Sequence, residues 1–413
     1  MLRVAYLLSH PIQYQSPLLR RLAQEPALNL TVFYTSDFSV RSYRDEGFGV
    51  SVAWDVPLLD GYRHEFLPRL LDANTITFLR PLNYGLYTRL RRGEFDVLWI
   101  HGYATLNSLI AMLAAKMLGI PVLLRTDSTL IDHPRSRAKL FVKDIFFRLL
   151  RPLVFGVLSI GERNTAYWRH HLGHTSEAGA RIYPMPYAVD NDFFSQQAVL
   201  ASPQRESLRA ALCLAPGRPV ILFASKLLAR KRCIDLVEAY LLSANALPQE
   251  ERPYLLIVGD GEERAQVEAR IAEANAAADI RMLGFRNQTE LPPLYDLCDL
   301  FVLPSVHEPW GLVVNEVMNA ARAVIVSDQV GCQPDLVTDG DNGCVYPAGD
   351  VSALAAALTR VLRDPETCRR MGQRSQQRIQ AYSFAADIHG LMQAFQEAAA
   401  WKTEPRTQKT RKP

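Results

Sequence analysis

Short apolar, β-branched runs alternate with longer amphipathic stretches from one end of the chain to the other. In the first half LRVAYLL (2–8), NLTVFY (29–34), DVLWI (96–100), PVLLR (121–125) and VFGVLSI (154–160) read as strands, with helical periods over 15–25, 104–118, 136–150 and 162–171. In the second half the strands are PVILFA (219–224), YLLIV (254–258), IRML (280–283), LFVL (300–303) and AVIVS (323–327). Helices fit there at 231–246, 261–276, 312–320, 350–363 and 365–381. Near-continuous apolar strands separated by amphipathic helices predict parallel sheets covered on both faces. Two such series predict an α/β chain of two doubly wound domains. Each binds its ligand beyond the carboxyl ends of its strands, where strand order reverses. Two facing sheets put the chemistry in a central cleft.

The boundary is expected near 184–218, where PMPYAVDNDFF gives way to a polar segment, SQQAVLASPQRES, and then to the turn signal APGRP. That sets an N-terminal domain at 1–193, a C-terminal domain at 205–382 and a basic tail at 402–413. Residues 36–94 carry few clean periods, and an irregular stretch of that length inside a compact domain marks either function or a misread pattern. The N-terminus reads as a first strand and not as a signal peptide, because it lacks a small-residue cleavage site.

Composition narrows the class. With 48% hydrophobic and 22% charged residues, a disordered, fibrous or disulfide-stapled chain is excluded, and no apolar run is long enough to span a bilayer. The six cysteines contain no C-x-x-C pair and read as buried thiols of a reducing cytoplasm. Residues 1–193 hold 22 Lys/Arg against 17 Asp/Glu, and residues 194–401 hold 19 against 25. That excess is too weak for a nucleic-acid footprint, so no nucleic-acid partner is expected. Residues 135–155 mix six cations with a dense apolar face. Such a stretch is either a packed helix or a peripheral contact with an anionic membrane surface.

Three stretches carry candidate chemistry. In PSVHEPWGLVVNEVMNAARA (304–323), Glu308 precedes Gly311 and an apolar helix, and Glu316 falls about one turn inside that helix. A helix start binds phosphate through its free N–H groups, and a carboxylate accepts two hydroxyl hydrogen bonds, which suits a sugar or ribose diol. In ASKLLARKRCIDLVEAY (224–240) a strand ends in Lys226, Arg230, Lys231 and Arg232, an anion site of the kind a diphosphate needs. VGDGEER (258–264) resembles a dinucleotide fingerprint, with Arg264 where the third glycine belongs, and a tight turn explains Gly259 and Gly261 as well.

Together SKLLARK, LLIVGDGEE, LGFRNQTELPPLYDLCDLFVLPS and HEPWGLVVNEVMNAARAVI resemble the retaining glycosyltransferases of family 4, which have the GT-B fold. YPMPYAVDNDFF resembles that family's interdomain segment, and YSFAADIHGLMQAF its C-terminal helix, placing 383–401 back on the N-terminal domain. The resemblance implies that Glu308 contacts the donor sugar and Glu316 the ribose. It implies too that amides at Gly311, Leu312 and Val313 meet the diphosphate, with Lys226 and Lys231 as paired cations. The base pocket is implied near Leu283 to Arg286, which includes Phe285. Lys226 stands where the family usually has Arg, which removes the bidentate fork.

The resemblance also implies a histidine after the strand PVLLR, and this chain has Asp127 there, flanked by Arg125, Thr126 and Ser128. His101 and His10 are the alternatives, each after a strand and so able to face the cleft. For Asp127 a helix N-cap is the competing reading. The candidate catalytic residues are therefore Glu308, Asp127, His101 and Lys231, with His10 and Arg125 as acceptor-side candidates. The D-x-D strings at Asp190–Asp192 and Asp339–Asp341 lie in turn-rich segments, so no metal is expected. The expected protein is a cytoplasmic, metal-independent retaining glycosyltransferase of polysaccharide biosynthesis, working at the inner face of the membrane if 135–155 docks there. Its co-substrate is a nucleoside diphosphate sugar, of UDP or GDP type, and its acceptor a glycan or lipid-linked sugar. The alternatives are a nucleotide-sugar epimerase of the same fold and a non-catalytic sugar-nucleotide-binding relative.

Overall fold

Apolar strands joined by helical crossovers can only pair in parallel, and they do so in two separate sheets of the computed structural model. It describes residues 1–45, 47–73, 75–131, 137–173, 181–245 and 247–403. The chain forms two units: Met1–Arg41 and Pro57–Tyr187 join the C-terminal helix from Phe384, and Ser42–Val56 joins Ala188–Ser383.

The first unit is a seven-stranded sheet of β1 (Leu2–Leu8), β2 (Leu28–Tyr34), β3 (His64–Phe66), β4 (Val97–His101), β5 (Val122–Arg125), β6 (Gly156–Ser159) and β7 (Ile182–Pro184). Strand order is β7-β6-β5-β4-β1-β2-β3, with every pair parallel. The order reverses between β1 and β4, so the switch point opens beyond Leu8 and His101. Helices α1 (Leu106–Leu118), α2 (Arg137–Leu150) and α3 (Glu162–Leu172) cover one face. Met112, Phe147, Leu150, Tyr167 and Trp168 pack there against Leu98, Ile100 and Leu124 in one buried cluster.

The second unit holds six parallel strands: β8 (Val220–Ala224), β9 (Tyr254–Val258), β10 (Ile280–Gly284), β11 (Leu300–Leu303), β12 (Ala323–Ser327) and β13 (Gly343–Tyr346). Their order is β10-β9-β8-β11-β12-β13, which reverses between β8 and β11. Both sheets are doubly wound and Rossmann-like, as the alternation predicts.

Several boundaries differ from the sequence reading. The polar segment after Val189 is not a linker but two helices, Asn191–Ala201 and Arg205–Ala211. Asp190 caps the first by accepting from Phe193 N at 3.2 Å, and Phe194 and Ala198 are buried under it. Residues 188–193 therefore go with the second unit and not with 1–193. So does 42–56, where a short hairpin pairs Tyr43 with Val52. That segment is fastened by Asn287 Nδ2 to Ala53 O at 2.6 Å and Thr289 N to Asp55 Oδ2 at 3.1 Å. The strands β3 and β7 are too short to leave a pattern, and β13, GCVY, lacks the apolar run of the others. The closing helix, α4 (Phe384–Thr403), packs on the first unit through Leu391, Ala394 and Phe395. Of the expected basic tail, residues 404–413 lie outside the described residues.

Candidate functional site

The switch point of the second sheet is lined by two loops that leave neighbouring strands. After β8 the chain runs through Ser225 and Lys226 into a short 3-10 turn, Ala229–Lys231. After β11 it runs through Pro304–Glu308. The loops are tied by Val306 N to Arg230 O at 2.9 Å and by Arg230 Nη1 to His307 O at 3.2 Å. This pairing delivers Lys231 Nζ onto Glu308 Oε2. At 7% exposure Lys231 is a charge that has to be compensated. Burial lowers its pKa, while the Glu308 carboxylate works in the opposite direction.

Glycine shapes the rim at two places. Gly311 has φ +97°, a left-handed conformation that starts helix α5 (Leu312–Asn319), and a Cβ there would lie 3.0 Å from Leu303 Cδ2. The first-turn amides of Leu312 and Val313 have no intrahelical acceptor. At Gly259, φ +133°, a Cβ would overlap the Ser225 carbonyl. The loop after β9 also hydrogen-bonds Leu227 N to Asp260 O at 2.8 Å. The G-x-G string is thus a close backbone approach between two strand ends, which accounts for Gly259 without a ligand.

Lys226 and Glu316 have partners that spacing could not reveal. Lys226 Nζ donates to Asp45 Oδ1 at 2.7 Å and lies 4.7 Å from the centre of the Phe48 ring. Burial raises the Asp45 pKa, but the Lys226 bond and the amides of Phe48 and Gly47 prevail and hold it below the usual carboxylate range. Phe48 packs edge-on against Phe285, centroids 4.9 Å apart, at the expected base pocket. Glu316 Oε2 accepts from the Tyr295 hydroxyl at 2.6 Å, and burial pushes its pKa up to about 7. Lys231 with Glu308 and Lys226 with Phe285 thus share one sheet edge, and Glu316 follows on α5. Asp45, Phe48 and Tyr295 were not anticipated; the irregularity of 36–94 was the signal for the first two, and nothing marked Tyr295 out.

At the switch point of the first sheet lie His10, His101 and Arg125. His101 Nδ1 is 3.1 Å from Gln15 Nε2 and 3.2 Å from the Tyr6 hydroxyl, and that hydroxyl donates to Gln15 Oε1 at 3.0 Å. Gln15 has a proton to give, so Nδ1 is the acceptor and the ring proton resides on Nε2. Burial, then the nearby Arg125 charge, lowers the His101 pKa to about 3, and burial lowers that of His10 to about 4. Both rings are neutral at pH 7. Arg125 is buried, its guanidinium 4.8 Å from the centre of the Tyr187 ring. Burial pushes the Asp387 carboxyl up to about 8 against the pull of Arg125. Asp127 is exposed on the loop after β5, and residues 126–129 are not helical, so it is no N-cap.

The D-x-D strings have structural partners. Asp190 is the cap described above, Asp339 Oδ1 accepts from Arg360 at 2.6 Å and Val345 N at 3.0 Å, and Asp341 pairs with Arg374. Among the described residues no group of three or more His, Cys, Asp or Glu side chains could hold a metal ion. Cys213 is exposed, against the expectation of buried thiols, because it sits in a left-handed turn at φ +54° after a helix; the other five cysteines are buried.

Residues 204–378 match the family described as glycosyl transferases group 1. Alpha-D-kanosaminyltransferase of Streptomyces kanamyceticus is 27% identical over 275 residues, 63% of this chain and 66% of that protein. The 2-deoxystreptamine glucosyltransferase of the same organism is 29% identical over 291 residues, 67% of this chain and 70% of that protein. In fold, the chain is similar to HepE of Anabaena in complex with UDP, at TM-score 0.72 and 17% identity, covering 96% of this chain and 100% of that one. The strand-end cations, the glycine-started helix and the matched segment all lie in the second unit. Residues 204–378 thus match the group 1 glycosyltransferases, on a chain whose two Rossmann-like units have the GT-B fold.

Proposed function

We propose that the chain transfers a hexose-type sugar from a UDP-sugar to a glycan or lipid-linked acceptor, with retention of anomeric configuration and without a metal ion. The observation that carries this reading is the buried Lys231–Glu308 pair beside Lys226 at the switch point of the second sheet. As the glycosidic bond to the diphosphate breaks, negative charge grows on the leaving oxygen. Lys226, Lys231 and the amides of Leu312 and Val313 are preorganised to receive it, and such electrostatic stabilisation is usually the largest catalytic contribution. Glu308 addresses the transferred sugar, and Glu316 the ribose. The UDP and UDP-glucose complexes of HepE favour uracil as the base.

The first unit then serves the acceptor, with His10, His101, Arg125 and Asp127 as its polar groups. Neutral His101, with its proton on Nε2, can donate a hydrogen bond to a sugar hydroxyl without adding charge. Retention without a side-chain nucleophile fits attack by the acceptor on the face the diphosphate leaves. Exposed apolar residues on α1 and α2 support work at a membrane surface, on the cytoplasmic side.

The test is calorimetry and turnover with UDP-, GDP-, ADP- and dTDP-sugars, with and without chelator. UDP-sugars should bind, and transfer should survive chelator. Lys231→Ala should lose roughly 1.5–3 kcal/mol of nucleoside diphosphate binding, the range of a charge-assisted hydrogen bond. Unchanged affinity in that variant would sink the donor site. An isomerised sugar formed without any acceptor would make the chain an epimerase.

A further inference from the structure

The opposite end of the second sheet holds a cavity of about 340 Å³, within the range of small-molecule sites. Its wall includes Pro219, Asp299 and Arg322, the residues at or just before the amino ends of β8, β11 and β12. Lys226 lies beyond the carboxyl end of β8. The five residues of that strand separate the two places by roughly 16 Å at the usual rise of an extended chain. This cavity is therefore not part of the donor site.

Five arginines line it, Arg205, Arg209, Arg218, Arg322 and Arg369, against the carboxylates of Glu206 and Asp299. Some of that charge is already matched. Arg205 bonds Asp296 at 2.9 and 2.5 Å, Arg322 shares the same carboxylate at 3.0 Å, and Arg218 holds Asp279 at 2.5 Å. Asp299 spends one oxygen on Val220 N at 2.8 Å. Arg209 differs. Among the described residues it bonds only carbonyls, Ala215 O at 2.6 Å and Arg218 O at 2.8 Å, although it is just 8% exposed. Its Nε, and the Nε of Arg322, lack an acceptor too, but both atoms are enclosed and out of reach of the cavity. What Arg209 contributes is a buried cation with no carboxylate partner among the described residues, a charge that an anion in the cavity would compensate.

We propose that this cavity binds a phosphate-bearing small molecule, whose negative charge compensates the Arg209 guanidinium while Arg369, paired with Glu366, closes the rim. Planar guanidinium groups suit phosphate oxygens better than point charges do. The site stands apart from sugar transfer and is independent of the nature of the donor.

The test is calorimetry of the full chain with pyrophosphate, with inorganic phosphate and sulfate as further arms, in the presence of saturating UDP. Pyrophosphate should still bind one site per chain under UDP, and equally in Lys231→Ala. Arg369→Glu, at a position whose side chain is 64% exposed, should weaken it at least fivefold. Arg209→Gln should do the same where circular dichroism shows it folded, and Arg369→Glu alone decides where it does not. Sulfate matching pyrophosphate in affinity would mean nonselective anion screening and overturn the proposal. Heat that vanishes under UDP, or that Arg369→Glu leaves unchanged, would overturn it as well.

Discussion

The two glutamates eight residues apart differ in their surroundings more than in their chemistry. Glu308 meets a lysine, while Glu316 meets a tyrosine hydroxyl and, among the described residues, no cation. Glu308→Gln should therefore lower kcat while leaving nucleoside diphosphate affinity nearly intact, and Glu316→Gln should weaken that affinity because an amide nitrogen cannot accept from a ribose hydroxyl. One titration and one rate for each variant decide this. Burial raises the Glu316 pKa from 4.5 to about 7, so the folded state favours the protonated form. Its contribution to stability is fully present below pH 4.5 and is lost as pH rises through 7. Ribose binding draws on the ionised form, so UDP affinity should rise between pH 6 and 8 in the parent more than in Glu316→Gln, as titrations across that range would show. A diphosphate at Lys226 must also displace the Asp45 carboxylate. Asp45→Ala should tighten UDP binding several-fold, and a weaker complex would mean that Asp45 belongs to the bound state. The glutamates and lysines were legible because a strand end and a helix start are local signals. Asp45 and Tyr295 were not, since they reach the site from 181 and 21 residues away.

At the scale of elements, periodicity located the long strands and helices to within a few residues and failed where burial did not follow composition. SQQAVLASPQRES is polar by count, yet its helix needs only Phe194 and Ala198 to seat it, and Asp190, which reads as part of a D-x-D string, is the cap that starts it. The opposite holds for α1 and α2, which carry more apolar surface than their packing uses. Ile110, Leu113 and Met117 on α1 and Phe141, Val142, Ile145 and Leu149 on α2 are exposed, with Lys116, Arg148 and Arg151 close to them in sequence. Residues 135 and 136 of the expected membrane stretch lie outside the described residues. Among the described residues no helix is long and apolar enough to cross a bilayer. These exposed side chains suit a surface contact instead. The chain should float with vesicles containing anionic lipid and not with neutral ones, and the double variant Phe141→Asp, Leu149→Asp should remain in the soluble fraction with its UDP affinity unchanged.

For the whole molecule, two α/β domains were legible because each strand series carries its own core. Membership of the units was less so, since 42–56 and α4 are assigned by hydrogen bonds and packing far from them in sequence. The chain passes from one unit to the other at 41/42, 56/57, 187/188 and 383/384. The second unit is therefore complete once residue 383 has been made, whereas the first, begun with β1, lacks α4 until residues 384–403 have followed. Until then β1, β4, β6 and β7 miss the helix that brings Phe395 to Trp99 and Glu397 to the Tyr183 hydroxyl. Synthesis and completion run in opposite order, so the domain translated first is the last to mature. A chain stopped at 383 should show this under limited proteolysis, with 188–383 surviving while the strands before it are cut. Equal survival of both halves would mean that α4 only decorates a sheet already folded.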